Sequence, residues 1–214
     1  TSMHAWLLKF DGWLLPKGWL EPLATALVII AASTFATLRL ARRGRAHALR
    51  DRAQRKLAQR DALRKEWPHS WGTLVAGSNA ERIVQLSATQ LSEELDKGRL
   101  TATEVMTAFC ARAKYCGEEW NLVTEELYGP AMLAAKEADA ARAQGKCLGP
   151  LHGLPFSVKD CIHQEGTDST CGLQCRTFKP ATADAVLVAL LRRQGAIPFV
   201  RTNVGQCMML PESD

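Results

Sequence analysis

The chain has 214 residues, 47% of them apolar, which is enough for one domain plus an extension and excludes a disordered chain. Its formal charge of +5 is local: eleven Lys and Arg residues against two acids between Arg39 and Lys65 make that stretch +9, so the rest sums to −4. The basic balance therefore belongs to one segment and excludes any general inference about partners. Seven cysteines at irregular spacing argue against a disulfide framework and for a reducing compartment. Cys171 and Cys175 are four apart, but no second pair and no suitably spaced histidines accompany them, so no metal site is expected.

The first predicted element is an apolar helix. Pro22 to Leu38 is a run of 17 uncharged residues. As a helix it covers roughly 25 Å, the short end of a bilayer span, and Arg39 can snorkel to lengthen it. Trp13 and Trp19 lie before the run, and Arg39, Arg42, Arg43 and Arg45 lie after it. That order predicts a single-pass anchor at an endomembrane, with the C-terminal part facing the cytosol. A cleaved signal peptide would carry its positive charge before the apolar run. A buried core helix would not usually lead straight into an arginine-rich stretch, and an interfacial helix stays open. Residues 1–40 are thus read as a membrane anchor, with the span at about 22–38.

Residues 41–70 read as a basic juxtamembrane helix or linker. Ala41 to Glu66 has few apolar positions and many good helix formers, and Trp67-Pro68 ends it. It serves as a solvated linker, as a segment held against anionic lipid, or as both. No aromatic residues are interleaved with the charge, so nucleic acid is not an expected partner.

The soluble part, residues 71–214, starts near Trp71. Helices are predicted from Ser87 to Lys97, ended by Gly98, and from a Thr101-Ala-Thr-Glu104 capping box onward, with Val105, Met106, Phe109 and Ala113 as an apolar stripe. Leu122 to Glu125 is a strand. Gly129-Pro130 opens an alanine-rich helix to about Gln144. Leu154 to Lys159 is a strand, Asp184 to Gln194 a helix closed by Gly195, and Ile197 to Arg201 a strand. Helices alternating with strands predict an α/β domain around a mainly parallel sheet.

Gly149-Pro-Leu-His-Gly153 is turn chemistry leading into the strand Leu154-Pro-Phe-Ser-Val-Lys159. Alternation puts Leu154, Phe156 and Val158 on one face and Ser157 and Lys159 on the other. A lysine there, if buried, would lose its charge readily and become a general base. Alternatively its ammonium reaches solvent at the strand end or pairs with Asp160. His152 and His163 have no evident catalytic partner and read as turn or surface residues.

The segment Gly149-Pro-Leu-His-Gly-Leu-Pro-Phe-Ser-Val-Lys-Asp160 closely resembles the first motif of the amidase-signature family. Gly166-Thr-Asp-Ser-Thr-Cys-Gly172 and the stretch from Ala183 to Asn203 resemble the family's loop, helix and strand downstream of that motif, and the similarity covers roughly residues 86 to 210. The resemblance implies the N-terminal part of the amidase-signature fold, a mixed, mainly parallel sheet flanked by helices. It implies Lys159 as the base of a Ser–Ser–Lys triad, with no cofactor. Both serines belong to a Gly-Gly-Ser-Ser-Gly-Gly-like region expected beyond Asp214. Ser157, Ser169 and Ser213 sit in no such sequence, so the chain reads as a fragment that is inactive alone. The anchor and Gly195-Ala-Ile-Pro-Phe-Val-Arg-Thr-Asn-Val204 are similar to the branch that hydrolyses fatty acid amides and N-acylethanolamines. That likeness implies a lipid amide substrate and a membrane partner. It also assigns a substrate contact to Met208, with ordinary core packing as the alternative, since Gly205 stands where proline is usual. A family member with another amide substrate, and a non-catalytic membrane protein acting through its basic helix or as a homodimer, remain alternatives.

Overall fold

A computed structural model describes residues 20–68 and 77–209. Trp13, Trp19, Trp71 and Ser213 lie outside the described residues. The chain divides into two compact units, Thr1–Leu49 and Arg50–Asp214.

In the first unit the helix α1 (Leu20–Glu66) begins, and it continues without a break into the second. The helices expected at 22–38 and 41–66 are therefore one. Its N-terminal stretch is long and apolar enough to cross a membrane by length and composition. Leu27, Val28, Ile29, Ile30 and Phe35 are exposed along it. The polar side chains in this stretch satisfy themselves within the helix. Thr25 donates to the Glu21 carbonyl at 3.0 Å, Thr34 to Ile30 at 2.7 Å and Thr37 to Ser33 at 2.9 Å. Such back-bonding leaves no hydroxyl needing water, which suits an apolar surrounding.

In the second unit, α2 (Asn79–Gln85), α3 (Ala88–Asp96), α4 (Ala102–Glu119), β1 (Val123–Glu126), α5 (Tyr128–Ala143), β2 (Pro155–Lys159), α6 (Val186–Arg193) and β3 (Ile197–Thr202) come after the end of α1. The short helix α2, capped by Ser78, has no counterpart among the elements expected from the sequence. The Thr101–Glu104 capping box forms as expected: the Glu104 amide donates to the Thr101 hydroxyl at 3.1 Å, and the Thr101 amide to the Glu104 carboxylate at 2.8 Å. Ser87 and Gln90 make a second box on α3.

The strand order is β1-β3-β2. β2 and β3 run parallel through the α6 crossover, with Lys159 opposite Thr202. β1 joins the other edge of β3 antiparallel. The sheet is therefore mixed and not mainly parallel. The antiparallel ladder runs on past β1, where the Leu127 amide bonds the Phe199 carbonyl at 2.9 Å.

α4 and α5 cover the sheet. Leu95, Val105, Met106, Cys110, Tyr128, Ala135 and Phe199 are buried between these layers. Phe109 meets Phe199 edge-on at 6.1 Å between ring centroids. Each large apolar side chain buried here contributes about 1.5–3 kcal/mol relative to exposure. Burial also pushes the Cys110 thiol up to about 12, so it behaves as a small apolar group.

Candidate functional site

The Gly149–Gly153 turn sets the start of β2, and it is seated on the end of α6. The Leu151 amide bonds the Gln194 carbonyl at 3.2 Å, and the Gly153 amide bonds the Gly195 carbonyl at 2.9 Å. Gly195 has φ +88°, and a Cβ there would lie 2.6 Å from the His152 Cα, so only glycine allows this approach. Of the two readings of His152, turn or surface, the turn holds, but the ring is buried. The Leu148 amide donates to its Nδ1 at 3.3 Å, which leaves Nε2 to donate to the Ala138 carbonyl at 2.9 Å. A motif of turn residues had hidden a buried ring that ties the turn to α5. His163 is exposed, as expected.

β2 ends at Lys159, whose side chain is exposed. Asp160 does not turn to it. The Asp160 amide bonds the Thr202 carbonyl at 3.0 Å. Its buried carboxylate accepts from the Thr170 hydroxyl and from the Thr170 amide at 3.2 Å, and lies 3.6 Å from Arg201.

Arg201 is the hub of the loop after β2. It has no exposed surface, although it sits in the strand Ile197–Thr202. Its guanidinium donates to the Ile162 carbonyl at 2.7 Å, the Asp168 carbonyl at 3.1 Å and the Ser169 hydroxyl at 3.1 Å. A planar fork of donors suits this task, since it can satisfy several loop carbonyls at once. Burial lowers its pKa, and the Asp160 carboxylate opposes that shift. Ser169, with its hydroxyl engaged here, is a structural residue of the loop.

Asp168 fixes the far side of the same loop. Its carboxylate accepts from the Phe178 amide at 2.8 Å and the Lys179 amide at 2.7 Å, and pairs with Lys56 of α1 at 2.9 Å. Burial pushes this carboxyl up, but Lys56 and the two amides outweigh it and hold it below the ordinary carboxylate range. Glu125 binds the same ammonium, yet burial dominates there and raises its pKa. Of these two carboxylates Asp168 stays charged more readily, because it also has two amide donors.

Met208 lies in a turn after β3 and is exposed among the described residues. The turn is tied to the Lys159 side of the sheet: the Cys207 amide bonds the Cys171 carbonyl at 2.8 Å, next to Thr170. Lys159 and the Met208 turn thus lie at the carboxyl ends of the two parallel strands, where α/β sheets hold ligands. An open cleft of about 640 Å³ lies beside this loop, lined by Cys161, Ile162, His163, Ser169, Arg176 and Lys179 among others. Lys159 is not in its wall, so the cleft is not taken as the reaction site. Among the described residues no cluster of His, Cys, Asp and Glu could hold a metal ion. Sequence reasoning missed Arg201 and Lys56. A charged residue inside the apolar run Ile197–Val200 onward was the available signal for Arg201; Lys56 is one of eleven similar basic residues and carried none.

The family model for amidase matches residues 104–214, and the chain belongs to the amidase-signature family. It is 44% identical over 142 residues to a putative amidase, kk1C, of Curvularia clavata, covering 64% of this chain and 26% of that protein. It is 33% identical over 186 residues to fatty-acid amide hydrolase 1 of Sus scrofa, covering 87% of this chain and 30% of that protein. A solved structure of fatty acid amide hydrolase superposes with a TM-score of 0.62 over 73% of this chain and 32% of that one; at 24% identity this likeness speaks for the fold alone. The chain spans about a quarter to a third of the length of the curated relatives it matches.

Proposed function

We propose that this chain carries the lysine arm of a membrane-bound serine amidase, with Lys159 as proton acceptor and a fatty acid amide as substrate. The observation that carries the reading is the placement of Lys159: it ends a parallel strand, on a backbone held through Asp160 by Thr170 and Arg201. In the proposed reaction, a serine elsewhere in the protein attacks the amide carbon. Its hydroxyl proton passes to a bridging serine, whose own proton passes to the Lys159 amine. Collapse of the tetrahedral intermediate breaks the C–N bond, and the proton returns by the same route to the leaving amine. Water then releases the acid from the acyl-serine. The exposed turn at Met208 lines the path of the substrate.

The lipid part of the reading is supported by α1. Its exposed apolar stretch leads into Arg39, Arg42, Arg43 and Arg45, which suit the anionic cytosolic leaflet. A match of 186 residues in a chain of 214 must include part of α1, so the likeness to fatty-acid amide hydrolase 1 extends beyond the amidase region. A second reading, an amidase with another amide substrate, is favoured by the higher identity to the Curvularia protein, 44% against 33%.

The test is the product of the complete reading frame in membranes, assayed with a long-chain primary amide and with acetamide. Lys159→Ala should lower kcat on the long-chain amide by on the order of 10²–10⁴-fold. Preference for acetamide would overturn the lipid reading and leave the amidase. The 214-residue chain by itself should not react with a serine-directed fluorophosphonate, and labelling would overturn the placement of the nucleophile outside it.

A further inference from the structure

The loop after β2 and the turn after β3 meet at two cysteines. The amide of Cys207 donates to the carbonyl of Cys171 at 2.8 Å. Covalent geometry converts that distance into a limit. The donor nitrogen is bonded to one Cα and the accepting carbonyl to the other, so the two Cα atoms are at most about 6.7 Å apart. Disulfides span Cα separations of about 4.4–6.8 Å. The neighbouring backbone is as close: a Cβ on Gly172 would lie 2.9 Å from the Cα of Gln206.

Both residues are free thiols, Cys207 exposed and Cys171 half-buried. They also share a conformation that non-glycine residues adopt at a cost, with φ of 50° at Cys171 and 55° at Cys207. The contact between the two segments holds both of them there. Among the described residues no other two cysteines are joined by a backbone hydrogen bond between segments. Cys110 and Cys116 are buried in α4.

We propose that Cys171 and Cys207 form a reversible disulfide that latches these two segments. The oxidant is a small disulfide of the glutathione type. The exposed Cys207 thiolate attacks one of its sulfurs and expels one glutathione thiolate, leaving a mixed disulfide. The Cys171 thiolate then attacks the Cys207 sulfur, forms the internal bond and expels the second glutathione. The two cysteines give up two protons and two electrons, and the oxidant becomes two molecules of reduced glutathione. The bond ties Thr170, which holds Asp160 beside Lys159, to the turn that carries Met208. Its effect on catalysis rests on the amidase reading, but its formation does not.

The test is mass spectrometry of the full 214-residue chain in detergent, equilibrated with oxidised glutathione, alkylated and digested without reductant. The expected product links the peptides of Cys171 and Cys207, in excess of any other cysteine pair by about tenfold or more because the two are held together. Dithiothreitol should abolish it. In Cys171→Ser the resolving thiol is gone, so Cys207 should instead retain glutathione. Separate glutathione adducts on Cys171 and Cys207 in the unaltered chain would overturn the proposal, as would links scattered among Cys147, Cys161 and Cys175. Activity is not read, so a failed amidase assay and a missing cross-link are independent results.

Discussion

Lys56, on the C-terminal half of α1, pairs at 2.9 Å with Asp168, in the loop after the strand ending in Lys159. The same ammonium binds Glu125 of β1, and Arg64, two turns on, bonds the buried Glu126 at 2.6 Å. The end of α1 is therefore clamped to the sheet edge and to the loop by charge. Lys56→Met should cost about 1.5–3 kcal/mol of unfolding free energy, since Asp168 and Glu125 would lose a charged donor. Denaturant titration would measure it, and hydrogen exchange at the Phe178 and Lys179 amides should speed up. Lys97→Met, which removes an exposed pair with Glu93, should change little. Equal losses in the two variants would contradict the clamp.

The same cluster has a pH signature. Asp168 is held below its ordinary pKa of about 3.9, because Lys56 and two amides outweigh its burial. A depressed carboxyl adds stability that is complete above the unfolded pKa and is lost as pH falls through the folded one. Lys56 has the opposite sense: burial lowers it, but Asp168 and Glu125 outweigh that and raise it. Its contribution is complete below its unfolded pKa and is lost only as pH climbs through the raised value. The difference in melting temperature between the unaltered chain and Asp168→Asn should therefore stay constant from about pH 5 to 8 and shrink below about pH 4. A difference that widens in acid would refute the assignment of the charge to Asp168.

These dependences separate what could be read in the sequence from what could not. The capping box at Thr101 and the glycine stops at Gly98 and Gly195 act within a few residues, so spacing revealed them and the helices they bound; the Ser87–Gln90 box was not read there. Lys159 was found through the motif around it, not through its own environment, which is exposed. Arg201 shows the opposite case. Its burial depends on carbonyls at Ile162 and Asp168, more than thirty residues away, and no local pattern reports them. The antiparallel seat of β1 is likewise a long-range pairing, Val123 with Thr202. α2 escaped notice because seven residues carry too little apolar pattern to stand out.

The N-terminus of α4 is capped from outside as well as by its own box. The Asp139 carboxylate, on α5, accepts from the Ala102 amide at 2.6 Å, the Thr103 amide at 3.0 Å and the Thr103 hydroxyl at 2.6 Å. It also places negative charge where the helix dipole favours it. Asp139→Ala should cost about 1–2 kcal/mol, the range of a lost helix cap. Thr101→Ala removes a different bond, to the Glu104 amide. A double-mutant cycle in urea should find a combined loss smaller than the sum, because both caps hold the same first turn. No loss in Asp139→Ala would mean that water replaces the carboxylate at both amides.

Two glycines with positive φ separate conformational strain from collision. Gly98 has φ +66° and open space where a Cβ would go, while Gly195 has φ +88° and the His152 Cα at 2.6 Å. Gly98→Ala should therefore cost only the left-handed backbone penalty, about 1–2 kcal/mol. Gly195→Ala carries that penalty and must also push the Gly149–Gly153 turn away, because backbone cannot rotate aside as a side chain can. The displaced turn holds the His152 ring between α5 and the loop, so Gly195→Ala should shift the His152 ring resonances, and Gly98→Ala should leave them in place. If the two alanine variants melt at the same temperature and neither moves His152, then the turn yields freely, and the seating of the start of β2 on the end of α6 is not rigid.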